Sequence, residues 1–455
     1  MGTAPIGSLL LRMSIPGMVS MVVMSLYNIV DTIWVSGLPN GTEAIAALTV
    51  VMPLQMVAAA LGMGASSGVT SLVSRRFGAG KRDEVNRIAG NAITLPLLLG
   101  APVTVLCLTF PEPLALLFGG SSELVAPAVG YLTIIAWGFP CQIFGATVDG
   151  LLRGSGNTKT PMYVRSTAAI FNAILDPFLI YGWGPFPMLG LPGAALATLS
   201  AQILGACLSA GYLLSSRSGY RISIPDLRPR FLILRNIAQV GIPSFINGCV
   251  RSAMGSLFNW VLAGFGPAAI AANGLSMRVM MLMLSFMGPG VAQALVPIVG
   301  FNFGAQNYRR MWKTWLTASL SLSGIGVVLS SLIILFAPTI LAPMAPDPEL
   351  LELAVWALRL KVCTIVLVEP QMMGIFTFQG MGMGTRALAL TMARNVVFVV
   401  PALLALAHFF GARGAFAAQP ASDLLGVLIA GGMLWQVYRR YPVSASTSVE
   451  TATRP

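Results

Sequence analysis

Leu26-Tyr-Asn-Ile-Val-Asp-Thr-Ile-Trp-Val-Ser36 is an apolar run with one carboxylate inside it. Asp31 stands roughly 20 residues into a stretch that starts near Leu9, long enough to be a membrane-spanning helix. A carboxylate there costs about 2.5–3.5 kcal/mol on insertion scales, so it faces a cavity and serves transport more often than structure. A second acid of this kind closes Phe171-Asn-Ala-Ile-Leu-Asp-Pro177. The expectation is that Asp31 and Asp176 form one cation-binding centre, which the remaining helices open to alternate sides of a membrane.

The composition agrees. Of 455 residues, 56% are hydrophobic and only 9% are charged, and the mean hydropathy is +0.80. Soluble proteins carry about 25% charged residues, so this chain cannot cover a water-facing surface. The net charge of +12 does not point to nucleic acid, because the basic residues cluster in short loops on one side of the membrane. Cys107, Cys141, Cys207, Cys249 and Cys363 stand singly in apolar runs, without metal or redox spacing. The N-terminus has no basic region followed by a cleavage site, so the first helix is expected to stay. Ile6 stands where an N-myristoylation signal needs Ser or Thr.

Apolar segments fall at about 9–36, 44–73, 88–110, 124–150, 162–183, 191–215, 236–263, 268–302, 315–342, 352–378, 388–410 and 414–438. Basic residues follow the even-numbered segments: Arg75, Arg76, Lys81, Arg82 and Arg87; Arg153 and Lys159; Arg217 to Arg235; Arg309, Arg310 and Lys313; Arg386; Arg439 and Arg440. The other loops carry Glu43, Glu112, Glu123, Asp347 and Glu349, with Arg413 as the exception. By the positive-inside rule both termini are cytoplasmic, which places a multi-pass protein in the cell (inner or plasma) membrane.

The two halves echo each other. Leu11-Arg-Met-Ser-Ile-Pro16 is repeated as Ala238-Gln-Val-Gly-Ile-Pro243, and Glu43-Ala-Ile-Ala-Ala47 as Ala268-Ala-Ile-Ala-Ala272. Gly62-Met-Gly64 is repeated as Gly288-Pro-Gly290, and Phe77-Gly-Ala-Gly-Lys-Arg82 as Phe303-Gly-Ala-Gln-Asn-Tyr308. The offset holds at 225–227 residues. The reading is an all-α integral membrane protein of twelve spans in two pseudo-symmetric six-helix bundles, related by an axis along the membrane normal. Residues 1–220 form the first lobe, 221–235 a cytoplasmic linker, 236–440 the second lobe, and 441–455 a disordered cytoplasmic tail.

Asp31 lies 19 residues beyond Arg12, about 28 Å along a helix, in the outer half of the membrane. Pro16 can bend the same helix. Asn172, one turn before Asp176, shares its face, and Thr198 on the next span adds a hydroxyl. The four residues suit a proton or, through Asp31, Asp176 and Asn172, a Na⁺ ion. The bland reading of the group is polar glue between helices. Tyr27, Asn28, Asp149, Gln202, Glu369 and Met281 are the expected cavity residues. Asp149 either lines that cavity or pairs with Arg153. Glu369 either titrates in the second lobe or pairs with Arg359 or Lys361. Asp423 and Arg251 are a candidate pair, and His408 reads as a surface residue. The small residues of Gly62-Met-Gly-Ala-Ser-Ser-Gly68 read as a close-packing face. No nucleotide loop, metal cluster or nucleophile–base arrangement is present, so the chain is not expected to be an enzyme or to need a cofactor. An ion gradient must supply the energy.

These residues resemble the multidrug and toxic compound extrusion (MATE) transporters, and most of all their DinF-like branch. The resemblance spans the whole chain. It is carried by Arg75-Arg-Phe-Gly-Ala-Gly80, by Leu152-Arg-Gly-Ser-Gly-Asn-Thr-Lys-Thr-Pro161, and by Asp31, Asn172, Asp176, Thr198, Pro16 and Tyr27 at matching positions. Span 7 lacks the acid of the other major branch, and Glu369 sits one position out of that branch's register. The resemblance implies a monomeric antiporter that expels amphipathic, often cationic drugs in exchange for H⁺ or Na⁺. The alternative is a lipid-linked precursor flippase of the same superfamily, which Arg251 and Arg278 within spans would suit.

Overall fold

The computed structural model describes residues 1–119, 122–345 and 347–445, without the side chains of residues 122 and 285–289. The expected tail, from residue 446 onward, lies outside the described residues.

Every described regular element is helical. The helices are α1 (Ile6–Ser36), α2 (Gly41–Gly78), α3 (Arg82–Thr109), α4 (Pro111–Leu117), α5 (Ser122–Ile135), α6 (Phe139–Gly154), α7 (Lys159–Tyr181) and α8 (Leu191–Leu214). The second half supplies α9 (Phe231–Ala263), α10 (Pro267–Gly304), α11 (Tyr308–Leu341), α12 (Pro348–Cys363), α13 (Ile365–Gly380), α14 (Gly384–Met392) and α15 (Val399–Arg440), with a π-helical turn at Ala393–Phe398. In a bilayer core only internally bonded backbone is tolerated, which is why apolar runs of this length become helices.

All twelve expected spans are helical. Several start earlier than hydropathy suggests, because α3, α9 and α11 extend into charged turns at Arg82, Phe231 and Tyr308. Spans 11 and 12 have no loop between them: α15 reverses at Gly411, whose φ of 63° and ψ of −150° only glycine adopts readily. The short α4, which opens on Pro111, was not expected. Among the described residues, eight helical stretches are long and apolar enough by themselves to cross a membrane. Lys159–Tyr181 and Phe231–Ala263 are not among them, and Pro348–Gly380 is broken at Thr364. Those three stretches carry Asp176, Arg251, and Lys361 with Glu369.

The repeat is visible in the backbone. Helix α2 ends with Lys81 N–H donating to the Arg76 carbonyl, and α10 ends with Asn307 N–H donating to that of Asn302. The left-handed residue in these caps is Gly80 (φ 73°) in one and Gln306 (φ 57°) in the other. Helices α6 and α13 end alike, with Asn157 to Leu152, Met383 to Phe378, and Gly156 and Gly382 left-handed. These are Schellman caps, which satisfy carbonyls the helix leaves open.

The chain divides into two compact units. One holds Pro16–Phe77 and Lys81–Gly241; the other holds Met1–Ile15, Gly78–Gly80 and Ile242–Pro455. Membership changes inside α1 at Pro16 and inside α9 beside Pro243.

In the first unit α7 packs on α8, α3 on α6, and α6 on α8. Gly150 of α6 lies against the Ser66 backbone, and Gly62 of α2 against Ala146. This is the close approach that small residues allow between membrane helices. The basic linker is clasped to α3: the Asn91 side chain accepts from Arg230 N–H (2.7 Å) and donates to the Asp226 carbonyl (3.1 Å). The hydrophobic core of this unit is in two clusters. One contains Val35, Leu54, Tyr131, Ile180 and Ala195; the other contains Ala65, Leu72, Val148 and Leu213.

The second unit has one continuous cluster, running through α10, α11, α12, α13 and α15 and including Ile6, Leu10 and Met13. Arg310 Nε donates to the Met1 carbonyl (3.1 Å), and the same guanidinium bonds that of Ala4.

Candidate cation and substrate site

The break in the first unit's core is where its polar residues stand. On α8, Ala195 belongs to one cluster and Leu213 to the other, and Thr198 and Gln202 fall between them. On α7, Asn172 and Asp176 are one turn apart and both buried. The Asn172 amide donates to the Thr198 hydroxyl at 3.5 Å. Tyr27 of α1 and Tyr131 of α5 lie near Thr198, and Gln55 of α2 donates to Tyr131 at 3.3 Å. Asp31, one turn after Tyr27, is close enough to Asp176 for their charges to interact.

Four buried oxygens here have no hydrogen-bond partner: Asp31 Oδ1, Asn172 Oδ1, and both carboxylate oxygens of Asp176. Native structures leave few such atoms. A set of carboxylate and carboxamide oxygens suits a hard cation. It equally suits protons held on the two acids, which would lower the cost of burying adjacent like charges.

The other expected cavity residues are placed as follows. The side-chain oxygen of Gln202 lies against Gly138, has no partner, and shares a face of α8 with Thr198. Asn28 stands on the exposed side of α1, beside Thr32, whose hydroxyl donates to the Asn28 carbonyl (2.8 Å). Asp149 is buried, and its carboxylate pairs with Arg165 of α7. Arg153 instead bonds the Asp149 backbone carbonyl (3.2 Å) and the Ser66 hydroxyl (3.1 Å).

In the second unit Glu369 is 3% exposed, with Oε2 unpartnered. Neither suggested partner reaches it. Arg359 donates to the Ile334 carbonyl (3.1 Å), and Lys361 donates to Asn273 Oδ1 and to the Ser276 hydroxyl, both at 2.7 Å. Asp423 does not pair with Arg251. It accepts from Arg394 (2.8 Å), Thr364 (2.9 Å) and Gln419 (3.1 Å). Met281 and His408 are exposed.

The MatE family model matches residues 16–178 and 243–404, one copy in each half. The chain belongs to the MatE family. It is similar to the FAD transporter of Shewanella oneidensis, at 28% identity over 430 residues, covering 93% of each chain. It is also similar to the multidrug export protein MepA of Staphylococcus aureus, at 24% identity over 447 residues, covering 98% of this chain and 97% of that one. Among solved structures, one described as MATE in the bent conformation superposes with a TM-score of 0.90 at 28% identity, covering 98% of each chain. The protein is therefore a multi-pass MATE transporter and not an enzyme.

For a MATE chain, the residues that sequence reasoning missed are mostly partners on other helices. Tyr131 and Gln55 complete the Thr198 cluster, Arg165 neutralises Asp149, and Arg394 neutralises Asp423. Arg394 had a signal. It is a charge inside an apolar span with no acid one turn away, so it needed an acid from another helix.

Proposed function

We propose that this MATE chain is a secondary antiporter of the DinF-like branch that exports amphipathic cations in exchange for H⁺ or Na⁺. Asp31 and Asp176 are its coupling centre. The observation that carries this reading is the set of four buried, unpartnered oxygens on Asp31, Asn172 and Asp176. Ionised, the two acids attract an incoming cation or the drug. Loaded with a proton or Na⁺, they no longer hold the drug, and α1 can bend at Pro16 to close the space. The likeness to a multidrug export protein supports the choice of cargo. The protein works as a monomer in the cytoplasmic membrane with both ends inside; the two six-helix lobes, residues 1–220 and 236–440, rock, with Met1–Ile15 carried on the second. Small organic cations and the bilayer are its partners, nucleic acid is not, and it needs no cofactor beyond the coupling ion.

The test is efflux of ethidium from proteoliposomes under an imposed proton gradient and then under a Na⁺ gradient alone, for wild type and Asp31→Asn. Gradient-driven efflux that is lost in the variant supports the reading, and the effective gradient names the ion. Wild-type rates in the variant would sink it. No efflux by folded wild type under either gradient would favour the flippase.

A further inference from the structure

Arg413 is the exception among loops that otherwise carry acids, and it follows the reversal of α15 at Gly411 by two residues. Its guanidinium bonds Glu352 Oε1 of α12 (2.5 Å) and lies over the Trp356 ring, 6.0 Å from the centroid. Arg413 and Glu352 are 59% and 72% exposed, and an exposed ion pair adds little stability. Stability alone does not account for this arginine.

A cleft of about 490 Å³ lies beside the pair, between α11, α12 and the turn of α15. Small-molecule sites span about 300–1,000 Å³. Pro338, Leu351, Val355 and Trp356 give the cleft an apolar wall, and Glu352, Arg359 and Arg413 give it charge of both signs. Arg359 Nε donates to the Ile334 carbonyl (3.1 Å). Among the described residues, the two terminal nitrogens of Arg359 and Glu352 Oε2 have no partner.

Ile334 sets the depth. Helix α11 carries Lys313 near its start and no charge beyond it. Ile334 is 21 residues past Lys313, about 32 Å along the helix. A hydrocarbon core is about 30 Å thick. Arg359, bonded to Ile334, therefore stands at the headgroup level of the far leaflet. Charges of both signs beside an apolar wall, at that depth, match a molecule that is half in water and half in lipid.

We propose that this cleft holds one phospholipid with an amine headgroup, of the phosphatidylethanolamine type. Arg359 and Arg413 grip its phosphate in charge-assisted bonds. Glu352 Oε2 accepts from its ammonium. The glycerol and first acyl carbons lie on Leu351, Val355 and Trp356, a wall that a free phosphoamine would leave uncovered. Only the choice of the outer leaflet rests on the reading that both termini are cytoplasmic; binding itself does not.

The test is native mass spectrometry of the full chain, delipidated in detergent and titrated with single dioleoyl lipids. Wild type should take up a first phosphatidylethanolamine at least about tenfold more tightly than dioleoylglycerol, which lacks the headgroup. It should also prefer phosphatidylethanolamine to phosphatidylglycerol, which lacks the ammonium, by at least about fivefold. Arg359→Gln/Arg413→Gln should bring the first binding step within about twofold of that for dioleoylglycerol. Arg359→Lys/Arg413→Lys keeps the charge, should retain part of the affinity, and guards against misfolding of the glutamine variant. Glu352→Gln should erase the preference over phosphatidylglycerol. Equal binding of phosphatidylethanolamine and dioleoylglycerol by wild type, or wild-type affinity in the glutamine double variant, overturns the proposal. So does binding of water-soluble glycerophosphoethanolamine as tight as that of the lipid, which would make the cleft a site for a soluble ligand. The lipid is counted in protein that is not transporting, so this result and the ethidium result stand or fall separately.

Discussion

The two repeats keep the same turns and none of the same buried charges. Gly80 answers Gln306 and Gly156 answers Gly382 at an offset of 226 residues. At that offset Asp31 meets Leu257, Asp176 meets Ala402, and Asn172 meets Phe398. In the other direction Lys361 meets Ile135, Asn273 meets Ala47, and Asp423 meets Ala197. The first unit splits its apolar core and keeps carboxylates there without partners. The second keeps one core and satisfies its buried charges, except for Glu369. Duplication supplied a scaffold, and each copy then acquired its own electrostatics. A site with orphaned acids can bind and release; one with satisfied charges holds a shape.

The sharpest way to break this contrast is to remove acids from each side. Asp31→Asn and Asp176→Asn should each slow gradient-driven ethidium efflux at least about tenfold without changing the elution profile of the purified protein, while Glu369→Gln should cost less than about threefold. Comparable losses from all three would mean that both units couple.

Stability should show the reverse order. Asp423 and Arg394 are 3% and 14% exposed, so Asp423→Ala leaves a buried guanidinium uncompensated and should cost about 3–5 kcal/mol, read as a lowered thermal midpoint. Asp149→Ala should cost less, because Arg165 is 42% exposed and water can solvate it. Lys361→Met leaves Asn273 Oδ1 without its donor, which should cost about 1–3 kcal/mol. Adding Asn273→Leu should recover most of that loss, since replacing both partners removes the orphan. Smaller still, Gly80→Ala forces a side chain into left-handed backbone (φ 73°) and should cost about 1 kcal/mol.

The linker gives the weakest effect. The Ser223 hydroxyl and backbone N–H hold the Asp226 carboxyl below the usual carboxylate range. A carboxyl whose folded pKa is depressed contributes stability above its unfolded pKa of about 3.9 and loses it as pH falls through the lower folded value. Hydrogen exchange at Arg230 should therefore be insensitive to protonation of Asp226 between about pH 5 and 8 and should rise only in stronger acid. A rise already near pH 6 would mean that another group governs the clasp.

Most of the architecture was legible because a membrane helix announces itself locally, through an apolar run and its flanking charges. The repeat was legible because turn glycines keep their spacing. The acids of the first unit were legible for the same local reason: Asp31 and Asp176 each interrupt an apolar run. Their surroundings were not. Tyr131 and Gln55 carry no mark that separates them from packing residues, and Arg165 reads as an ordinary helix charge. Lys361 was mistaken for a partner of Glu369 because both lie on one span, whereas its acceptors are on α10. The ends of the units were also hidden. Met1–Ile15 packs with the second half of the chain, and nothing in the local pattern of α1 says so.

Gly411 has a practical consequence. The reversal inside α15 has no loop, and Gly414 sits against the Leu406 carbonyl where the two arms meet. Epitopes, cysteine labels and protease sites placed there would have to prise the arms apart. The stretch between α7 and α8, Gly182 to Gly190, leaves the helices for several residues and offers a handle that neither arm would feel.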